Sequence, residues 1–490
     1  MSKCMSLMVS TAFIMSAGAA AADLTAPDLW AEWQEMQQAL GTTISAQSES
    51  YAGGVLTLTN VATQSVIDEV ESIGRIAQIT LREQGDGSVR VELAPVYALG
   101  ITDTSFGEST VTTMELRHTG LDIVARDEDG ARSYDYGAQQ LTLDVGDVVV
   151  DGETMPFEVS LTLSDLASRY VIDMGSEARP FQSQDAIGAM QIRFSMSDPS
   201  EGTFNMQSDF TNLTSAFSGT LNAAGGAVPL GPLGVALKGE LTHGGSSVQI
   251  AAEATDGDIQ MEARTGAGTL AMDIDPTKFG IFSDTNQTEM RALVGGFPLP
   301  IEASVGRSTF GIAMPLARTQ APAPVNLTLG LRDVVLSDVI WGLFDPQGII
   351  PRDPATIALD LEGTATVLSD LTDVTNDFKA VQGPLAQINS LRLNDLEVSL
   401  GGARLSGTGA ATFDNSSAIP APVGRVNLTL SGGFGLLEQL ATLGVVPPEQ
   451  VGMVRMMSGM FATPTGPDEL ASEIEFLEDG SILVNGFPLQ

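Results

Sequence analysis

The feature that most constrains this chain is the spacing of its apolar residues. Over most of its length they recur at every second position, in short runs separated by turn residues. Leu56 and Leu58 alternate with Thr57 and Thr59. Val89, Val91 and Leu93 alternate with Arg90 and Glu92, after a Gln84-Gly85-Asp86-Gly87 turn. Phe157, Val159, Leu161 and Leu163 follow the same rule, as do Met190, Ile192, Phe194 and Met196. So do Val325, Leu327, Leu329 and Leu331, then Ile357, Leu359 and Leu361, then Leu396, Val398 and Leu400, then Val426, Leu428 and Leu430. A period of two puts one side of each strand in a dry environment and the other in water. The expected fold class is therefore mainly β: extended, curved antiparallel sheets of short strands with a few short helices, arranged as an open groove or as β-sandwich lobes.

Helical spacing appears in few places. Thr25 can cap a first helix, with Pro27 in its first turn and Asp28 three residues after the cap. Leu29, Trp30, Trp33, Met36 and Leu40 share one stripe, and Gly41 can end the helix. Two Trp on one stripe suit a helix clamped onto a sheet. Further helices are expected at Asp338 to Phe344, capped by Ser337 and stopped by Asp345-Pro346, and at Leu436 to Leu443. After Pro447-Pro448 another carries Val451, Val454, Met457 and Phe461, and its commonest reading is an amphipathic helix facing a core. Met453, Met456, Met457 and Met460 make it the most suggestive segment in the chain, since thioether side chains adapt to varied apolar partners.

Residues 1–22 read as a signal peptide. Lys3 precedes an apolar run from Cys4 to Met15, and Ala20-Ala21-Ala22 offers a cleavage site before Asp23. The run falls short of the roughly 20 residues a membrane span needs. The pattern looks bacterial, so the expected location is the periplasm, with no transmembrane span after cleavage. Beyond this segment, two lobes are expected, 23–222 and 223–490. They would meet at the Gly- and Pro-rich stretch Ala223 to Gly234. A short echo, Ala321 to Leu329 against Ala421 to Leu430, hints at duplication.

Charge narrows the partners. With 61 Asp and Glu against 23 Lys and Arg, the formal net charge is −38. Such a polyanion lacks the cations to displace counterions, so nucleic acid and anionic lipid surfaces are not expected as electrostatic partners. The acidity is read as a solubility device.

The residues that could carry catalysis fit no catalytic motif when tested singly. His118 and His243 form no H-x-x-x-H pair, and the chain's one Cys cannot complete a zinc site. His118 shares a face with Met114 and Leu116 and reads as a core or sheet-end residue; His243 precedes Gly244-Gly245 and reads as an exposed turn residue. There is no G-x-S-x-G elbow and no G-x-x-x-x-G-K-[ST] loop. Asp127-Glu128-Asp129-Gly130 and Asp144 to Asp151 could offer calcium weak ligands, but Asp-Gly is foremost a hairpin signal. With so many acids, a carboxylate pair for glycoside hydrolysis carries no weight by abundance alone. No catalytic, cofactor-binding or metal-ligating residue is assigned, no cofactor is expected, and ligand-binding residues stay open.

The motifs Trp341-Gly342-Leu343-Phe344-Asp345-Pro346, Pro351-Arg352-Asp353-Pro354-Ala355, Gly401-Gly402-Ala403-Arg404-Leu405-Ser406-Gly407-Thr408-Gly409 and Glu478-Asp479-Gly480-Ser481-Ile482-Leu483-Val484-Asn485-Gly486 resemble an uncharacterised alphaproteobacterial secreted family known only as a domain of unknown function. The helix with Trp30 and Trp33 is similar to that group too, so the resemblance extends over nearly all the chain after the signal. More loosely, the strand, Gly-Gly-Ala, strand, Gly-x-Gly cadence is similar to AsmA-like envelope proteins, and that resemblance implies lipid traffic along a β-groove. Since residues 1–22 read as a cleaved signal peptide, the chain is expected to depart from them in having no N-terminal membrane anchor. The expectation is a non-enzymatic soluble periplasmic protein that binds or carries a lipid or other apolar envelope component in a β-lined groove. The alternative is a structural or interaction protein of the envelope with a closed β core, no ligand and an envelope protein as partner.

Overall fold

The computed structural model describes residues 23–39, 41–67, 69–105, 107–175, 179–198, 202–220, 236–253, 257–295, 297, 299–371, 384–417 and 419–489. The expected signal peptide and the Ala223 to Gly234 stretch lie outside them. The fold is mainly antiparallel β, 68% strand and 10% helix. Among the described residues there are four helices, α1 (Ala26–Ala39), α2 (Asp338–Phe344), α3 (Gly433–Thr442) and α4 (Pro448–Phe461). The chain divides into two compact units, Met1–Glu262 with Val294–Gly296, and Ala263–Leu293 with Phe297–Gln490.

In the first unit the core forms where α1 lies on the sheet. The Asp28 amide donates to Thr25 Oγ1 at 3.3 Å, the expected cap. Gly41, at φ +74°, closes the other end, its amide donating to the Gln38 carbonyl. Leu29, Trp30 and Trp33 are buried against Leu56, Leu58, Ile79, Leu81, Val89 and Val91. The two indoles meet edge to face, 6.2 Å between centroids. Trp30 Nε1 donates to Glu49 Oε1 at 2.9 Å, so the ring buries its body and keeps its polar edge satisfied. A buried ion pair, Arg132 with Glu32, ties α1 to the strand Ala131–Val150. Burial pushes the Glu32 carboxyl up, and the bonds from Arg132 offset part of that.

The expected Asp-Gly hairpins are present. Glu128 pairs with Ala131 across Asp129 and Gly130, both at positive φ (+53° and +89°). Asp127 and Glu128 are engaged from within the fold: Asp127 accepts from the Gly130 amide, and Glu128 accepts from Arg169 and Ser133.

In the second unit, antiparallel strands run Lys278–Val294, Ile301–Pro315, Ala323–Leu336, Ala355–Val367, Ala386–Leu400, Ala403–Asp414, Ala421–Ser431 and Glu469–Phe476, each paired with the next. The alternation of apolar residues slips between Leu391, Leu393 and Leu396, Val398. The structure resolves this with a bulge: Leu361 pairs with Leu393 and Asp360 with Asp395, leaving Asn394 as the extra residue. Because one inserted residue resets the period, all four apolar side chains stay on one side.

The helices of this unit differ from expectation in instructive ways. α2 has the expected bounds, yet Ser337 makes no side-chain cap; its hydroxyl accepts from the Glu302 amide at 3.2 Å instead. α3 starts at Gly433, ahead of the expected Leu436. The cause is Asp468, distant in sequence, whose carboxylate accepts from the Phe434 and Gly435 amides at 2.9 Å each. α4 does not face a core, and none of its residues is buried. Its Arg455 side turns toward α3, bonding Glu438 at 2.8 Å and lying 4.8 Å over the Phe434 ring.

Candidate functional site

The second unit's sheet presents two chemically opposite sides. Residues directly opposite across a ladder share a side. One such line runs Phe310, Leu329, Leu359, Leu396, Gly407, Leu428. The next runs Leu331, Ile357, Val398, Leu405, Leu430, Leu470. A third runs Ile312, Leu327, Leu361, Leu393, Gly409, Val426, Ile474. No charged residue interrupts these lines.

The reverse side is charged. Arg307 grips Asp284 with two bonds, at 2.9 and 2.6 Å. Arg332 reaches Asp395 at 2.7 Å and Glu397 at 3.0 Å, and Arg404 reaches Glu397 at 3.2 Å. Arg425 holds Glu473 and Glu475. Each exposed pair contributes little by itself. Their joint effect is to fix register and to commit this side to water. The Arg307 guanidinium holds the Asp284 carboxyl below its ordinary range.

An amphipathic sheet normally hides its apolar side under a second layer. Here that side is open. Of the residues in the three lines, Gly407 and Leu470 are buried, Phe310, Leu329, Leu331, Ile357 and Val398 are exposed, and the rest are half-buried. Ile357 is 58% exposed, Leu331 45% and Phe310 44%. Single exposed apolar residues need no explanation, but a contiguous field of them marks a binding surface.

The first unit repeats the theme. Val145, Val159, Phe194, Met206 and Ile250 form one line, and Leu143, Leu161 and Ile192 lie beside it. Phe194 stacks on Phe157 at 6.0 Å and meets Phe204 edge-on at 5.8 Å. His118 pairs with Leu141 on this side, half-buried, with Nε2 3.0 Å from the Ala94 carbonyl. His243 is not an exposed turn residue. It ends the strand Ala236–His243 and packs edge-on against Phe210 at 5.8 Å, because pairing with Gly202–Thr220 carries it over that ring.

A hollow of about 590 Å³ in this unit has a mixed lining, in which Glu71, Arg75, Glu115, Arg117 and Asp144 stand among apolar residues such as Ile73 and Val111 around Gly100. Gly100 supplies no side chain, which opens the space. Arg117 is neutralised there by Glu115 and Asp144. Its charges are of both signs, so it offers no unpaired cluster of one sign.

Sequence reasoning reached the apolar lines through their period of two. It could not show that they stay open, because alternation reads the same under a second layer. The charge ladder opposite them carried no local signal either, since its partners come from different strands.

A family model described as an uncharacterised protein conserved in bacteria (DUF2125) matches residues 232–490, more than half of the chain. The match takes in the second unit's open sheet and α2, α3 and α4. No curated protein matches the chain.

Proposed function

We propose that this chain, which belongs to the uncharacterised bacterial family DUF2125, is a non-enzymatic periplasmic protein that holds a lipid or other apolar envelope component against its open sheet sides. The observation that carries this reading is the contiguous field around Phe310, Leu329, Leu331 and Ile357, exposed on a sheet whose reverse side is locked by Arg–carboxylate pairs. An acyl chain laid on that field removes apolar area from water, at about 25 cal/mol per Å². The aliphatic lining suits a flexible chain better than a planar ring. The net charge of −38 argues against docking on an anionic bilayer, so the cargo would be carried as single molecules.

The test is native mass spectrometry and organic extraction of protein purified from a bacterial periplasm. A stoichiometric lipid adduct is expected. Protein that arrives free of any adduct, and that also takes up no fluorescent fatty acid, overturns the proposal.

A further inference from the structure

We propose that α4 is a binding site for a soft monovalent metal ion of the Cu(I) and Ag(I) class, ligated by the thioethers of Met453, Met456, Met457 and Met460. Four of the chain's 19 methionines fall within these eight positions. At 3.6 residues per turn they occupy an arc of about 100° on one side of the helix. Side chains three and four apart have Cβ atoms about 5–6 Å from each other. A methionine side chain has three rotatable bonds, so sulfurs from that spacing can converge on one ion.

The structure points this stripe outward. Arg455, on the opposite side, bonds Glu438 and covers Phe434, which fixes that side to α3. Met453, Met456, Met457 and Met460 are 57%, 77%, 47% and 70% exposed. A structural methionine fills a gap in a core, and none of these is buried. The thioether is neutral and polarisable. It selects Cu(I)-like ions over Ca²⁺, Mg²⁺ and Zn²⁺, which prefer oxygen, nitrogen or thiolate donors. No His or Cys lies among the four thioethers, and Glu449, one turn before Met453 on the same line, is a single carboxylate that cannot by itself hold those harder ions.

Silver is the appropriate probe because it needs no reductant. The full chain is titrated with silver nitrate in chloride-free buffer, beside a variant carrying Met453→Leu, Met456→Leu, Met457→Leu and Met460→Leu. Leucine keeps volume and apolar character and removes the donor, and the exposed positions leave the fold intact, which circular dichroism checks. The expected result is one tightly bound silver ion per wild-type chain that the variant has lost. Silver should also slow the conversion of these four methionines to sulfoxides by peroxide, read by peptide mass spectrometry. Equal silver binding by both proteins, or none by the wild type, overturns the proposal. The latter result would leave α4 as an apolar docking helix. Neither outcome bears on lipid carriage by the sheets.

Discussion

Arg132 and Glu32 stand one hundred residues apart and meet inside the first unit through two parallel bonds, Nε to Oε1 at 3.1 Å and Nη2 to Oε2 at 2.9 Å. Both side chains are buried. A fork-on-fork contact of this kind fixes the rotation of α1 about its axis as well as its position. Removing Glu32 leaves the buried Arg132 with only the partly exposed Asp127 carboxylate, at 3.5 Å, as a counter-charge. Glu32→Ala should therefore cost about 3–5 kcal/mol in urea denaturation. The double variant Glu32→Leu, Arg132→Met should recover most of that loss, since both desolvation penalties disappear together. A double variant as unstable as the single one would show that the pair does more than satisfy itself.

Asp345 supplies a pH-dependent contact. Its buried carboxylate accepts from the Ile349 and Ile350 amides at 2.9 Å each. Burial acts to raise its pKa, but the amides outweigh burial and hold the carboxyl below its ordinary value. The contribution is thus complete above the unfolded value and is lost as pH falls through the lower folded one. The difference in melting temperature between wild type and Asp345→Asn should be constant above about pH 4 and narrow below it. A gap that stays constant into strong acid would mean the carboxylate charge is not what holds this turn.

How much of this was legible in the sequence depends on the range of each interaction. α1 was legible through Thr25, Asp28 and Gly41 because its signals are all local. The Asp129-Gly130 hairpin was legible for the same reason. The alternation of Leu396, Val398 and Leu400 was legible, but the bulge at Asn394 that precedes it shows only in the ladder. The start of α3 was hidden because its cap, Asp468, comes from the turn before the strand Glu469–Phe476, more than thirty residues away. The outward turn of Met456 was hidden because a helical period says which side chains align and not what they face. The openness of the apolar lines belongs to the same class, since a buried and an exposed alternation are written identically.

Gly74 marks a position where a side chain has no room. The Tyr97 hydroxyl crosses it, lying 1.8 Å from where a Cβ would stand, with Thr63 Oγ1 at 2.3 Å. Those two groups hydrogen-bond each other at 2.8 Å over the bare glycine. The arrangement is an aromatic ring laid across a glycine in a neighbouring strand. Gly74→Ala should break the Thr63–Tyr97 bond and cost about 1–3 kcal/mol through overpacking. Thermal unfolding followed by near-ultraviolet circular dichroism reads both the stability and the tyrosine environment. An unchanged tyrosine signal with unchanged stability would mean that the site has room for a methyl group and the Tyr97 ring keeps its place.

The openness of the second unit's sheet makes a sharper demand. Leu329 and Ile357 lie diagonally on adjacent strands of the apolar side and are 39% and 58% exposed. In a closed sandwich a carboxylate at either site would be buried without a partner and would unfold the protein. On an open sheet it remains hydrated, and a surface change of this kind costs within about 1 kcal/mol. Leu329→Glu with Ile357→Glu should therefore leave the melting curve nearly unchanged while abolishing uptake of a fluorescent fatty acid. The two readouts separate the physical causes. Collapse of the fold would show that a second layer covers this side, whereas a stable variant with normal uptake would place the lipid elsewhere. Loss of uptake by a protein that still melts as the wild type does is the outcome that only an exposed, ligand-bearing sheet produces.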